Sequence, residues 1–146
     1  MKLSHIFTTF ICFSTLSIAF ANNKDKTICE DPQTQFEMNN CANKGYKSTD
    51  EKLNQVYKLI QKKYANDSAF LNKLKIAQKA WLQYRDAQLD MMYPHKNEND
   101  YYGSVFGMCE NNYLEKLTIE RIKILQQWLD GTEEGDVCSG SILPKT

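Results

Sequence analysis

A single apolar stripe decides the fold class of this chain. Leu53, Val56, Tyr57, Ile60 and Tyr64 fall at i, i+3, i+4, i+7 and i+11, the spacing that gathers side chains on one face of an α-helix. Three other segments carry a helical pattern, and none carries the alternation of a strand. The first is expected to open at Asp31-Pro32, an N-cap with proline at the first helical position, and to stop near Gly45. The stripe itself belongs to a second helix opened by Ser48 and Glu51 at capping-box spacing. A third runs from Asp67 or Ser68 to Met92 and is stopped by Pro94. Phe70, Leu74, Ala77, Trp81, Tyr84 and Met91 form its predicted inner face, flanked by Leu71, Gln78, Arg85 and Met92. The fourth spans Ser104 to Asp130, with Leu114, Leu117, Ile124, Leu125 and Trp128 inward, and ends at Gly131. The expected fold is all-α, a small disulfide-stapled bundle of about four helices, with helices three and four as an antiparallel hairpin.

The chain opens with Lys2, an apolar run from Ile6 to Phe20, and the small-x-small sequence Ala19-Phe20-Ala21. This reads as a secretory signal peptide over residues 1–21. The run is too short to span a bilayer, which takes about 20 residues. Cys12 follows Phe10 and Ile11, not the small residues a lipoprotein signal needs. The expected organisation is therefore a leader at 1–21, a helical domain at 22–130 and an irregular tail at 131–146. The product is periplasmic or secreted, with no membrane insertion after cleavage. Without Lys2 the chain holds 17 basic and 18 acidic residues. That balance offers no basic surface for a nucleic acid.

Once Cys12 leaves with the leader, Cys29, Cys41, Cys109 and Cys138 remain, an even number suited to two disulfides in an exported chain. Zinc is disfavoured, because His95 is the one remaining histidine and there is no CxxC pair. No metal or cofactor is expected. If the first helix separates Cys29 from Cys41, they lie about 18 Å apart along its axis. Bridged Cα atoms lie within about 7 Å, so that pair is expected to stay unbridged. Cys29–Cys138 with Cys41–Cys109, or Cys29–Cys109 with Cys41–Cys138, remain open.

The order of Cys29, Gln33-Thr34-Gln35, Glu37-Met38-Asn39 and Cys41-Ala42 resembles the opening of the LprI-type lysozyme inhibitor family. The likeness continues through Asp50, Leu53-Asn54 and Tyr57. It runs on through Leu74, Gln78, Trp81 and Arg85-Asp86-Ala87 to Cys109, Leu117-Thr118 and Arg121. The resemblance implies an exported, helical, non-enzymatic protein that binds lysozyme or a related peptidoglycan-cleaving hydrolase. The family usually carries a further cysteine soon after Arg-Asp-Ala, where this chain has Gln88-Leu89. Cys138 appears instead, which implies a rewired disulfide pattern.

Candidate functional residues fall into two groups. Arg121 lies between Leu117 and Ile124 on an apolar face, where a guanidinium needs acceptors. Asp50, Gln78, Arg85, Asp86 and Arg121 are therefore expected to form a structural polar network, with Asp86 or Asp50 as the partner of Arg121. The connector between helices three and four is rich in tyrosine. Its Tyr93, His95, Lys96, Tyr101, Tyr102 and Ser104 are the expected partner-binding residues, because loops held by rigid helices commonly carry function. Catalysis is disfavoured. A single histidine leaves no triad, and Glu133, Glu134 and Asp136 sit on a tail that cannot hold two carboxylates across a cleft. The alternative to an inhibitor is an exported helical binding or scaffold module for another envelope or host protein.

Overall fold

The computed structural model describes residues 29–145, so the predicted leader and its cleavage site lie outside the described residues. Among the described residues there are three long helices: α1 (Gln35–Lys63), α2 (Ser68–Met92) and α3 (Phe106–Asp130). The first two predicted helices are one. Its start is set by Thr34, whose hydroxyl accepts from the Glu37 amide at 3.2 Å while the Glu37 carboxylate accepts from the Thr34 amide at 3.0 Å. That capping box displaces the predicted start at Asp31-Pro32, and Ser48 lies mid-helix. Gly45 does not stop α1, because the helix at that point is held by α3. A Cβ at Gly45 would come within 3.1 Å of the Glu115 carboxylate, which accepts from the Thr49 hydroxyl at 3.0 Å. A residue that costs about 1 kcal/mol in a helix interior is retained where a neighbouring helix comes close.

Both ends of α2 and the C-terminal end of α3 follow local chemistry as expected, whereas α3 starts at Phe106, two residues after Ser104, with no side-chain cap. Asp67 caps α2 by accepting from the Phe70 amide at 2.9 Å, and Pro94 follows its last turn. Gly131 ends α3 at φ 79°, and a Cβ there would meet the Leu143 carbonyl at 2.9 Å.

The helices run up, down and up. Asn39 donates to the Ser104 carbonyl, Asn43 to Asn111, Thr49 to Glu115 and Lys63 to the Leu129 carbonyl. Residue numbers thus rise together along α1 and α3, and the two helices are parallel over nearly their whole length. Along α2 and α3 they run in opposite senses, Gln88 facing Tyr113 and Gln78 facing Arg121. The predicted hairpin is antiparallel, but it is not the spine. The dense packing joins α1 to α3, and α2 lies more lightly against them.

The core shows why. Leu53, Val56, Ile60 and Tyr64 of α1 meet Ile122 and Leu125 of α3, and α2 adds Leu74 to this cluster. Thr118 is fully buried in α3, its hydroxyl donating to the Leu114 carbonyl at 2.7 Å. In α2 the inward line is Leu71, Leu74, Gln78, Trp81, Arg85 and Gln88, whereas Ala77, Tyr84 and Met91 are exposed. Ile124, expected inside, is also half-exposed. After α3 the chain folds back. Thr132 donates to the Leu143 carbonyl, Lys145 donates to the Thr132 carbonyl, and the Leu143 amide donates to the Tyr64 hydroxyl. The tail is irregular in backbone, yet it is tied to the base of the bundle.

Cys29 and Cys41 form a disulfide with Cα atoms 5.4 Å apart. This is the pair expected to stay unbridged, and both expected alternatives are corrected. The helix begins only at Gln35, so Cys29 lies before it and turns back beside its first two turns. Cys109 and Cys138 are free thiols. Cys109 sits in the first turn of α3 and Cys138 beyond its far end, about 30 Å along the axis.

Candidate functional site

The connector between α2 and α3 is built around stacked rings. Tyr93 lies 5.3 Å from both Tyr102 and Phe106 and 6.4 Å from Tyr113, each edge to face. Burial among these rings pushes the Tyr93 phenol above its usual value. Tyr102 stacks on Phe106 at 5.4 Å, and its hydroxyl accepts from the His95 amide at 3.2 Å. On this base sits the pair His95 and Tyr101, stacked at 4.4 Å, with Tyr101 more than half exposed. Edge-to-face and offset ring pairs are each worth about 1 kcal/mol beyond their buried area. They tie the connector rings to one another and to α3.

The polar groups of the connector are mostly engaged within the chain. His95 Nδ1 lies 2.6 Å from Glu98, and Lys96 pairs with Asp90 at 2.6 Å, an interaction that raises the Lys96 ammonium. The Ser104 backbone carbonyl accepts from Asn39, and the Asn39 side-chain oxygen accepts from the Met108 amide at 3.1 Å. Asn39 thereby ties the connector to α1. Asp100 takes φ 57° and Gly103 φ 67°, which turn the chain back toward α3.

The structure thus divides the six predicted loop residues. Tyr93 and Tyr102 belong to the ring base, Lys96 and Ser104 fasten the connector, and His95 and Tyr101 form its outer platform. At the same end of the bundle Phe36, Met91, Met92 and Val105 are exposed, Phe36 by 73% and Met91 by 67%. The sequence reading assigned Met91 and Met92 to α2 packing and overlooked Phe36. Aromatic residues and methionine exposed on a rigid surface are the composition of a protein–protein contact.

The predicted polar residues are brought together along α2, in a different pairing. Arg85 donates to Asp86 at 2.7 and 2.9 Å and to the Tyr46 hydroxyl at 3.2 Å, and lies 3.9 Å from Asp50. Arg121 instead donates through Nε to the Gln78 side-chain oxygen at 3.1 Å. Both guanidinium groups lie over the Trp81 ring, at 5.5 and 5.9 Å. The carboxylates expected at Arg121 serve Arg85, because Arg121 stands two helical turns nearer the base of the bundle. Burial without a carboxylate pushes the Arg121 guanidinium below its usual value.

Comparison with known proteins gives one family. A model described as lysozyme inhibitor LprI matches residues 29–125, which spans the disulfide, all of α1 and α2, the connector and most of α3. An uncharacterized protein of Rhizobium meliloti (strain 1021), R02472, is 29% identical over 116 residues, covering 72% of this chain and 81% of that protein. No solved structure gives a significant match.

Proposed function

The chain belongs to the lysozyme inhibitor LprI family, and from that premise we propose that it binds and inhibits lysozyme, or a related peptidoglycan-cleaving enzyme, through the connector end of the bundle. The family carries proteins that act by binding, outside the cytoplasm, and the Cys29–Cys41 bridge suits an oxidising compartment. The leader read at residues 1–21 delivers it to the periplasm or the medium.

The observation that carries the binding site is the platform of His95 and Tyr101, with Phe36, Met91, Met92 and Val105 exposed at the same end of the bundle. Binding through such a surface freezes few new rotamers, because His95 stacks on Tyr101 and Tyr101 packs edge to face on Tyr102 at 4.9 Å. A lysozyme cleft offers paired carboxylates. Tyr101 supplies contact area and a hydroxyl there, and the His95 ring supplies a second polar edge. No catalytic role is assigned to this chain, which acts by occupying the cleft.

The test is lysis of a peptidoglycan suspension by c-type lysozyme, with the oxidised mature protein added in increasing amounts. Protection that saturates near one-to-one stoichiometry is expected. Tyr101→Ser and Phe36→Ser leave the ring base untouched and should each weaken protection, Tyr101→Ser by about 2 kcal/mol, roughly thirtyfold in affinity. Absence of protection at large molar excess, from protein with a full helical circular dichroism spectrum, would overturn the proposal. It would direct the search to another envelope or host protein.

A further inference from the structure

A second surface lies at the opposite end of the bundle. Because α2 packs lightly on α3, a groove of about 580 Å3 opens between them, a size within the range of small-molecule sites. Its walls are Phe70, Leu74 and Ala77 of α2 and Ile124, Leu125 and Trp128 of α3. Phe70 and Trp128 close one end with rings 4.8 Å apart. Arg121 stands at the other end, about 10 Å away along α3. Three charged side chains line the groove: Arg121, Lys73 and Asp67. The Asp67 carboxylate is engaged by the first turn of α2. Among the described residues no carboxylate pairs with Arg121 or Lys73, so the groove is apolar with a cationic end.

The contrast between the two arginines over Trp81 gives this weight. Arg85 is neutralised by Asp86 and Asp50. Arg121, half-buried at the edge of the groove, has a neutral amide and a ring face for company. A guanidinium in that position recognises a planar carboxylate through its remaining N–H groups. We propose that this groove binds a single-chain alkyl carboxylate, its carboxylate on Arg121 and its chain laid along Leu74, Ala77 and Ile124 toward Phe70 and Trp128. Lys73 adds a second positive charge beside the same path. The site lies about 20 Å along α3 from the connector, and its occupancy does not depend on the lysozyme reading.

The chain has two tryptophans, Trp81 beneath Arg121 and Trp128 in the groove wall, so intrinsic fluorescence reports directly on the site. Decanoate titrated below its micelle-forming concentration should give a saturable change in the oxidised mature protein. Decanol, which has the same chain and no charge, should bind at least tenfold more weakly. Arg121→Gln should weaken decanoate at least tenfold, and Ala77→Phe, a change at an exposed wall position, should fill the groove and abolish the response. No saturable response to decanoate overturns the proposal, as does decanol binding as tightly or an Ala77→Phe protein that responds like the parent. If Arg121→Gln fails to fold, the decanol comparison and Ala77→Phe still decide.

Discussion

Replacing Cys29 and Cys41 together by serine isolates the effect of the single bridge. The bridge closes a loop with a sequence separation of 12. For a loop of that size, lost chain entropy in the unfolded state is about 10 cal/mol/K, or about 3 kcal/mol at 25 °C. That is an upper value, because the reduced native chain regains some freedom between Cys29 and Thr34. The Thr34–Glu37 capping box still holds the start of α1 without the bridge. Urea unfolding of the protein lacking residues 1–21, followed by circular dichroism, should show a midpoint lowered by roughly 1.5 M for an m-value of about 2 kcal/mol/M. The matching control is Cys109→Ser with Cys138→Ser. Neither thiol is bridged, one is half-buried and the other exposed, so the pair should cost no more than about 1 kcal/mol. A control that costs about 3 kcal/mol while the first variant costs nothing would refute the assignment. So would a non-reducing peptide map that links Cys41 to Cys109.

Neighbouring positions on α1 separate its two faces. Ile60→Ala should cost about 4 kcal/mol because Ile60 is fully buried, whereas Leu59→Ala should cost under about 1 kcal/mol because Leu59 is half-exposed; equal losses in urea unfolding would count against the packing described. Tyr64→Phe removes the hydroxyl that donates to the Trp128 carbonyl and accepts from the Leu143 amide. It should cost about 1–2 kcal/mol and speed amide exchange at Leu143, and unchanged exchange there would show that the tail is held by other means. Glu37 is held below the usual carboxylate range chiefly by the Gln33 amide, with the Thr34 amide next. Since its folded value is the lower one, its contribution is present above the unfolded carboxylate value and fades as pH falls through the folded value. Exchange in the first turn of α1, corrected for intrinsic rates, should therefore rise over that acidic window, and Glu37→Gln should flatten the rise; an identical profile in the variant would remove Glu37 as its cause.

Much of this architecture was legible where local chemistry decides. Asp67, Pro94 and Gly131 mark the boundaries of α2 and α3 because caps and breakers act over one turn. The α1 stripe from Leu53 to Tyr64 is the core stripe because its inward positions are apolar and its outward ones mostly polar. The same reasoning holds only in part on α2, where Phe70, Leu74 and Trp81 pack on the core as expected but polar residues share the inner face. Gln78, Arg85 and Gln88 face inward and make hydrogen bonds, while Ile76, Tyr84 and Met91 face out. Hydropathy cannot find an inner face whose polar groups are satisfied by neighbours far away in sequence. Gly45 misled for a related reason, since its role is set by Glu115 of another helix. The disulfide was missed through one boundary error of three residues, which turned a fold-back before α1 into a length of helix. At the connector, the clustering of tyrosines was visible in the sequence. Their division into a buried base and an exposed platform depends on Phe106 and Tyr113, which stand in α3.

The parallel pairing of α1 with α3 also fixes an order of events. Partners across that seam are 64 to 69 residues apart in the hydrogen bonds that join them, so the main core is assembled from the two ends of the domain. While a growing chain has yet to produce α3, α1 has no surface on which to bury Leu53, Val56 and Ile60. An isolated helix has little stability of its own in water. Contacts this distant are also slow to form. The chain therefore remains uncommitted until nearly its last helix is made, and a fragment ending before Phe106 should stay unfolded. Under the export proposed above, the chain would thread a translocation pore before it folds, and late commitment is built into the topology itself.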